Sequence, residues 1–172
     1  QVTVTLPDGS SRTVPAGTPV RDVAEGISPN LAKAALAGLV DGRLVDLGYP
    51  LDRDASVRIV TDRSPEALML CRHSTAHLLA AAVINLFPNA QCGIGPATDE
   101  GFFYDFIVDR PFVPDDLETI EKKMKALAAE DLPYERQMWP RETAKAFFDT
   151  RGEPLKVQLI DEKTEGQQDV SC

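Results

Sequence analysis

Gln1-Val2-Thr3-Val4-Thr5-Leu6-Pro7-Asp8-Gly9-Ser10-Ser11-Arg12-Thr13-Val14 decides the fold at the front of this chain. Val2, Val4 and Leu6 alternate with threonines, the period-two pattern of a half-buried strand. Pro7-Asp8-Gly9 reads as a tight turn, and Arg12-Thr13-Val14 returns as the hairpin partner.

The elements that follow complete a small unit. Thr18 is placed to cap a short helix, with Pro19 at its first position and Val20, Val23 and Ala24 facing inward. Asp41-Gly42 predicts a hairpin turn between a strand over 35–40 and another over 43–45. Val57, Ile59 and Val60 close the unit as its last strand. Two strands, a crossing helix and three further short strands predict a ubiquitin-like β-grasp unit over residues 1–61. This stretch has no histidine, no cysteine and no glycine-rich phosphate loop, so no catalysis is expected of it.

Residues 62–172 read as a larger α+β unit in which a long helix packs on an antiparallel sheet. Ser64-Pro65-Glu66 supplies a cap, a first-turn proline and an acidic group for the helix dipole. The spacing of Leu70, Ala76, Ala80, Val83, Ile84 and Phe87 predicts a helix to about Phe87, stopped by Pro88. Gly93, Gly95, Pro96 and Gly101 punctuate the next stretch, and Phe102–Ile107 predicts a buried strand. A second amphipathic helix is expected from Asp115, with Leu117, Ile120, Met124 and Leu127 as its stripe. Tyr134–Trp139 predicts a strand, Pro140–Thr150 a third helix ended by Gly152, and Lys156–Ile160 another strand. Residues 161–169 read as polar loop, and Val170-Ser171-Cys172 as the start of a strand.

The chain has 172 residues, 43% hydrophobic and 26% charged, enough apolar material for one large core or two small ones. No apolar run is expected to span a bilayer, and the opening reads as a strand rather than a signal peptide. A cytoplasmic protein is therefore expected. Three cysteines without CxxC spacing fit reduced thiols. Net charge is −9, distributed as −1 over residues 1–61 (6 basic, 7 acidic) and −8 over 62–172 (12 basic, 20 acidic). Such a balance argues against autonomous binding to nucleic acid, which needs a basic surface.

The chain's only two histidines stand in Cys71-Arg72-His73-Ser74-Thr75-Ala76-His77-Leu78-Leu79. Four residues apart on a helix, their Cβ atoms lie roughly 5–6 Å apart on one face. Such a pair can share a water, a metal ion or a substrate group, and histidine titrates nearest neutral pH. Three rival readings remain. Zinc wants at least three protein ligands, and Ser74 stands where the metalloprotease signature needs glutamate. A serine or threonine nucleophile lacks the strand–turn–helix elbow, and mid-helix hydroxyls bond back to the helix. Two half-buried histidines can also simply bond to backbone or water. Cys92 is more often core than nucleophile. Gly93-Ile94-Gly95-Pro96 lacks the third glycine and the helix of a dinucleotide fingerprint; it is a tight bend, or a backbone wall that lets a ligand come close. Lys156, if it faces the histidines, is a natural donor to a developing oxyanion.

Arg72-His73-Ser74-Thr75-Ala76-His77-Leu78-Leu79, Gly93-Ile94-Gly95-Pro96, Gly101-Phe102-Phe103-Tyr104-Asp105-Phe106 and Arg151-Gly152-Glu153 with Lys156 resemble the amino-terminal half of threonyl-tRNA synthetases. So does Leu6-Pro7-Asp8-Gly9-Ser10, in a β-grasp unit of the TGS type. The resemblance implies a TGS domain over 1–61 and most of a tRNA-editing domain, of the second additional domain type, over 62–172. It implies hydrolysis of Ser-tRNA(Thr), with His73 and His77 handling water or the terminal adenosine and Lys156 the oxyanion. Tyr104 and Asp105, with Gly95 and Pro96, would line the pocket. It further implies partners: the acceptor end of tRNA(Thr), the remaining synthetase domains and a homodimeric whole. No cofactor is expected for this part; ATP, Mg2+ and Zn2+ would belong to a catalytic domain outside this sequence. The family also has a Cys-x-x-x-His motif on a later strand. Cys172 has no histidine after it and is not given that role. Two other functions stay open: a non-catalytic module that positions tRNA or docks a regulator, and a zinc-dependent hydrolase.

Overall fold

The computed structural model of the chain describes residues 1–132 and 136–171. The chain divides into two compact units, Gln1–Cys71 and Arg72–Cys172.

In the first unit, β1 (Val2–Thr5) and β2 (Ser11–Val14) form the expected hairpin, with Val2 opposite Val14 and Thr5 opposite Ser11. Asp8 closes the turn by accepting hydrogen bonds from the Ser10 N–H (2.9 Å) and hydroxyl (2.6 Å). After β3 (Thr18–Pro19) come α1 (Val20–Ile27) and α2 (Pro29–Ala34). Then follow β4 (Ala35–Val40), β5 (Arg43–Val45), β6 (Pro50–Leu51) and β7 (Ala55–Thr61). The main sheet has the order β2-β1-β7-β4-β5, with β1 and β7 parallel at its centre. That order, with a helix crossing between hairpins, is the β-grasp. At the β4–β5 turn, Asp41 and Gly42 both take left-handed backbone (φ 48° and 81°), the conformation a two-residue type I′ hairpin demands. The core gathers Val2, Val4, Val20, Val23, Val40, Leu51 and Val57.

Two details depart from the sequence reading. Thr18 and Pro19 pair with Leu51 and Pro50, and the Thr18 hydroxyl donates to the Pro15 carbonyl (2.7 Å), so Thr18 is not the helix cap. A second short helix, α2, takes its cap from Ser28, whose hydroxyl accepts the Leu31 N–H (3.1 Å).

The helix α3 (Ala67–Leu86) starts later than expected, because the Ser64 hydroxyl accepts the Thr61 N–H (2.9 Å) in a preceding turn. It is also, by length and composition, apolar enough to cross a membrane, which corrects the expectation that no such run exists. Its apolar residues have a protein partner: Ala82 and Val83 pack with Ile120 of α4 (Pro114–Ala129), joined by Leu79, Leu86, Phe106, Phe112, Met124 and Leu127. Of the stripe expected on α4, Leu117 is instead 59% exposed. Asp116 caps α4 by accepting the Val113 N–H (2.9 Å). It also binds the Arg110 guanidinium (2.6 and 2.9 Å), which first of all holds its carboxyl down to about 2.

Among the described residues, the strand pairing of the second unit is shared between two short antiparallel ribbons. In one, β8 (Gln91–Cys92) meets β9 (Phe106–Ile107). In the other, β10 (Met138–Pro140) meets β11 (Asp169–Ser171). The buried strand expected over Phe102–Ile107 therefore shrinks to its last two residues, with a lone bridge from Phe102 to Ala97. Phe103 and Ile107 are more than half exposed. Of the Tyr134–Trp139 strand, Tyr134 lies outside the described residues, as does Cys172. The helix α5 (Arg141–Thr150) is as expected.

Lys156–Ile160 is helical, not extended. It lies in α6 (Pro154–Lys163), and the polar loop begins only after it. Pro154 occupies the first turn, and the Glu153 carbonyl accepts the Lys156 N–H (3.0 Å). The alternation in Lys-Val-Gln-Leu-Ile suits either state by itself. Tertiary ion pairing favours the helix, since Asp161 binds both Arg141 and Lys145 (2.8 Å to the latter) of α5.

Val57 is fully buried at the centre of the first core. Val57→Ala is expected to destabilise that unit by about 2 kcal/mol through lost apolar burial and a residual cavity. Chemical denaturation of the two proteins measures the difference.

Candidate active site

Helix α3 presents its two histidines one turn apart because its neighbouring stripe is committed to the interior. Ala76, Ala80 and Val83, spaced by four and three, are buried, and His73 and His77 beside them are exposed. Their rings meet edge to face, 4.7 Å between centroids at 76°. The two Nε2 atoms lie 3.1 Å apart. At that distance one nitrogen donates a hydrogen and the other accepts it, so the pair holds one proton between two bases.

The environment of His77 favours its neutral form. Partial desolvation pushes its pKa below the ordinary 6.5, and the positive charges of His73 and Lys156 push it the same way. Lys156 is thus within electrostatic reach of His77, although it does so from a helix and not from the expected strand.

Lys156 also acts on Cys92, the buried end of β8. Burial raises the Cys92 thiol above its ordinary value, and Lys156 and a hydrogen bond with the Tyr104 side chain offset part of that rise. A raised thiol is a poor nucleophile, in keeping with a core cysteine. Tyr104 itself is pushed up to about 12, first by burial and then by Cys92 and Glu153. It remains a neutral hydrogen-bonding phenol across the physiological range.

The glycine segment shapes the ground on which Tyr104 rests. A Cβ on Gly95 would stand 2.0 Å from Cδ2 of the Tyr104 ring, so only glycine lets the ring lie against this backbone. The ring also stacks on Phe106, 5.0 Å between centroids and 21° between planes. Main-chain bonds hold the two segments together: the Gly93 N–H donates to the Asp105 carbonyl (2.8 Å) and the Asp105 N–H to the Ile94 carbonyl (3.0 Å).

Of the residues expected in the site, the structure brings His73 and His77 together and places His77 within the field of Lys156. It seats Tyr104 on Gly95 and ties it to Cys92. Asp105 is exposed and contributes these backbone bonds, while Pro96 is half-buried beside Gly95. Among the described residues no three histidine, cysteine, aspartate or glutamate side chains are grouped to hold a metal ion. Sequence reasoning quoted Glu153 but gave it no role, and it shares the field of Cys92 and Tyr104. Its position before the helix-starting Pro154 was the available signal. It also gave Arg72 no role.

A TGS domain model matches residues 2–61. The chain is 54% identical over 168 residues to the threonine–tRNA ligase of Polynucleobacter necessarius subsp. necessarius (strain STIR1), covering 98% of this chain and 26% of that protein. The threonine–tRNA ligase of Geobacter sp. (strain M21) is 54% identical over 162 residues, 94% of this chain and 26% of its own length. That of Cupriavidus necator (strain H16) is 52% identical over 159 residues, 92% and 25%. Over the region it spans, the chain is similar to the amino-terminal part of threonine–tRNA ligases. It spans about a quarter of the length of the curated relatives it matches. The β-grasp carries the TGS match, and the second unit carries the paired histidines.

A depressed His77 pKa makes the unfolded chain the better proton binder, so folding stability from this group is complete above 6.5 and is lost as pH falls from there toward the lowered value. NMR titration of the imidazoles is expected to place the His77 midpoint below 6.5, and Lys156→Met is expected to move it upward. A midpoint at or above 6.5 in the parent chain contradicts the described surroundings.

Proposed function

We propose that the second unit, residues 62–172 in the boundary we favour, is a proofreading domain that hydrolyses serine mistakenly esterified to tRNA(Thr). The paired imidazoles on α3, with His77 in the field of Lys156, carry this reading. The whole protein, of which this region is about a quarter by comparison with its relatives, would join threonine to tRNA(Thr) with ATP. We take it to act as a cytoplasmic homodimer, with the metal and nucleotide chemistry in domains beyond this region.

The need for the reaction is physical. Serine lacks one methyl group of threonine and keeps its hydroxyl. A synthetic pocket gains roughly 1–3 kcal/mol from that methyl, too little for accurate protein synthesis. A second, hydrolytic site removes the error.

In the reaction, water attacks the carbonyl carbon of the seryl ester. The C–O bond to the terminal ribose breaks, releasing serine and a free ribose hydroxyl. The imidazole contact is the place for the water: inserted between the rings, it replaces the shared Nε2 bond and meets a nitrogen with an open lone pair. His77, held neutral by its surroundings, keeps a lone pair open to accept the proton. The proton it takes is returned to the departing ribose oxygen. Lys156 opposes the negative charge that builds on the carbonyl oxygen. Tyr104, neutral and fixed against Gly95, offers the seryl group a hydroxyl partner.

In the complete ligase, His73→Ala and His77→Ala are each expected to slow Ser-tRNA(Thr) hydrolysis by about a hundredfold or more, while threonine charging continues. Unchanged serine clearance in both variants removes the pair from the mechanism. The hydrolysis rate is also expected to hold level near neutral pH and to fall as pH drops through the lowered His77 value. A rate that rises on acidification rules out His77 as the base.

A further inference from the structure

We propose that Arg72 is a positioning residue that staples the loop over residues 93–102 to the helix carrying the histidines, and so sets the backbone against which Tyr104 rests. The assignment comes from one guanidinium nitrogen. Nη1 of Arg72 donates to the Thr98 carbonyl (3.0 Å) and to the Asp99 carbonyl (2.9 Å), crossing 26 and 27 residues of sequence. Arg72 is half-buried, which strengthens charge-assisted bonds of this kind.

The loop is built to transmit this hold. Its tip closes on itself: the Thr98 N–H donates to the Gly101 carbonyl (2.8 Å), and the Gly101 N–H donates to the Thr98 hydroxyl (3.1 Å). The Ala97–Phe102 bridge extends that closure. At its base, the Gly93–Asp105 and Ile94–Asp105 bonds fix Gly95 under Tyr104. Arg72 grips the tip, and the closed tip hands its position to the base. Residues i and i+1 on a helix face different directions, so Arg72 does this without occupying the face that bears His73. Both hydrogens on one nitrogen are used, and the guanidinium plane fixes their directions, whereas the three hydrogens of an ammonium turn freely on a flexible stem.

The kinetic part of this inference rests on the proofreading reading above; the structural part does not. Amide exchange followed by NMR in the 172-residue chain tests the structural part. In Arg72→Gln, the Thr98 and Gly101 amides are expected to exchange about tenfold faster, with the Val57 and Val60 amides unchanged. Arg72→Lys is expected to give an increase of about threefold, since one of the two bonds survives, and it serves should the glutamine variant not fold. Unchanged exchange at Thr98 and Gly101 overturns the staple.

In the complete ligase, Arg72→Gln is expected to raise KM for Ser-tRNA(Thr) hydrolysis about tenfold, because only the fraction of molecules with the loop in place binds productively. Its kcat should stay near that of the parent, whereas the histidine variants lose kcat. A fall in kcat at unchanged KM overturns the positioning role. Full hydrolysis in the histidine variants removes the imidazole pair from the mechanism and nothing else, and the exchange measurement still decides the staple.

Discussion

The four-residue spacing of His73 and His77 governs what the second unit can do, and it works only because the adjoining stripe of α3 is pinned to the interior. Ala76, Ala80 and Val83 are buried with at most 6% exposure. That burial fixes the rotation of the helix about its axis. Once the rotation is set, both rings must emerge from one surface, within 3.1 Å of each other at Nε2. Small residues on the buried stripe matter here. Alanines let the helix backbone lie close to its neighbours, and their side chains have no rotamers through which the helix could roll.

Electrostatics then divides the labour between two kinds of group. His77 is pushed toward neutrality by desolvation and by the cations near it. Tyr104 and Cys92 are pushed toward their protonated forms by burial. The result is a patch with a neutral base in the field of Lys156 and a neutral phenol set against Gly95. Such a patch suits an ester whose carbonyl becomes negative in the transition state.

The first unit was legible from its sequence nearly element by element. Alternating valines, Asp-Gly turns and short β-branched runs are local signals, and a hairpin register follows from its turn. Thr18 misled because capping chemistry and strand pairing compete for the same residue, and the pairing with Leu51 is made across 33 positions. In the second unit the helices α4 and α5 were equally plain. Lys156–Ile160 was not, since a five-residue stretch of mixed polarity carries neither period decisively. Its helical state is stabilised by ion pairs from Arg141 and Lys145 to Asp161, partners that no local window contains.

The sequence by itself determined the β-grasp, the long helix and the projection of two imidazoles from one helical face. It could do so because each rests on periodicity within a few residues, where backbone geometry leaves few choices. The tertiary structure alone decided that Lys156 lies within the field of His77, that Tyr104 lies on Gly95, and that Arg72 grips carbonyls 26 and 27 residues away. Those relations depend on how a loop and two helices pack, and packing is set by the sum of many weak contacts between residues distant in the chain.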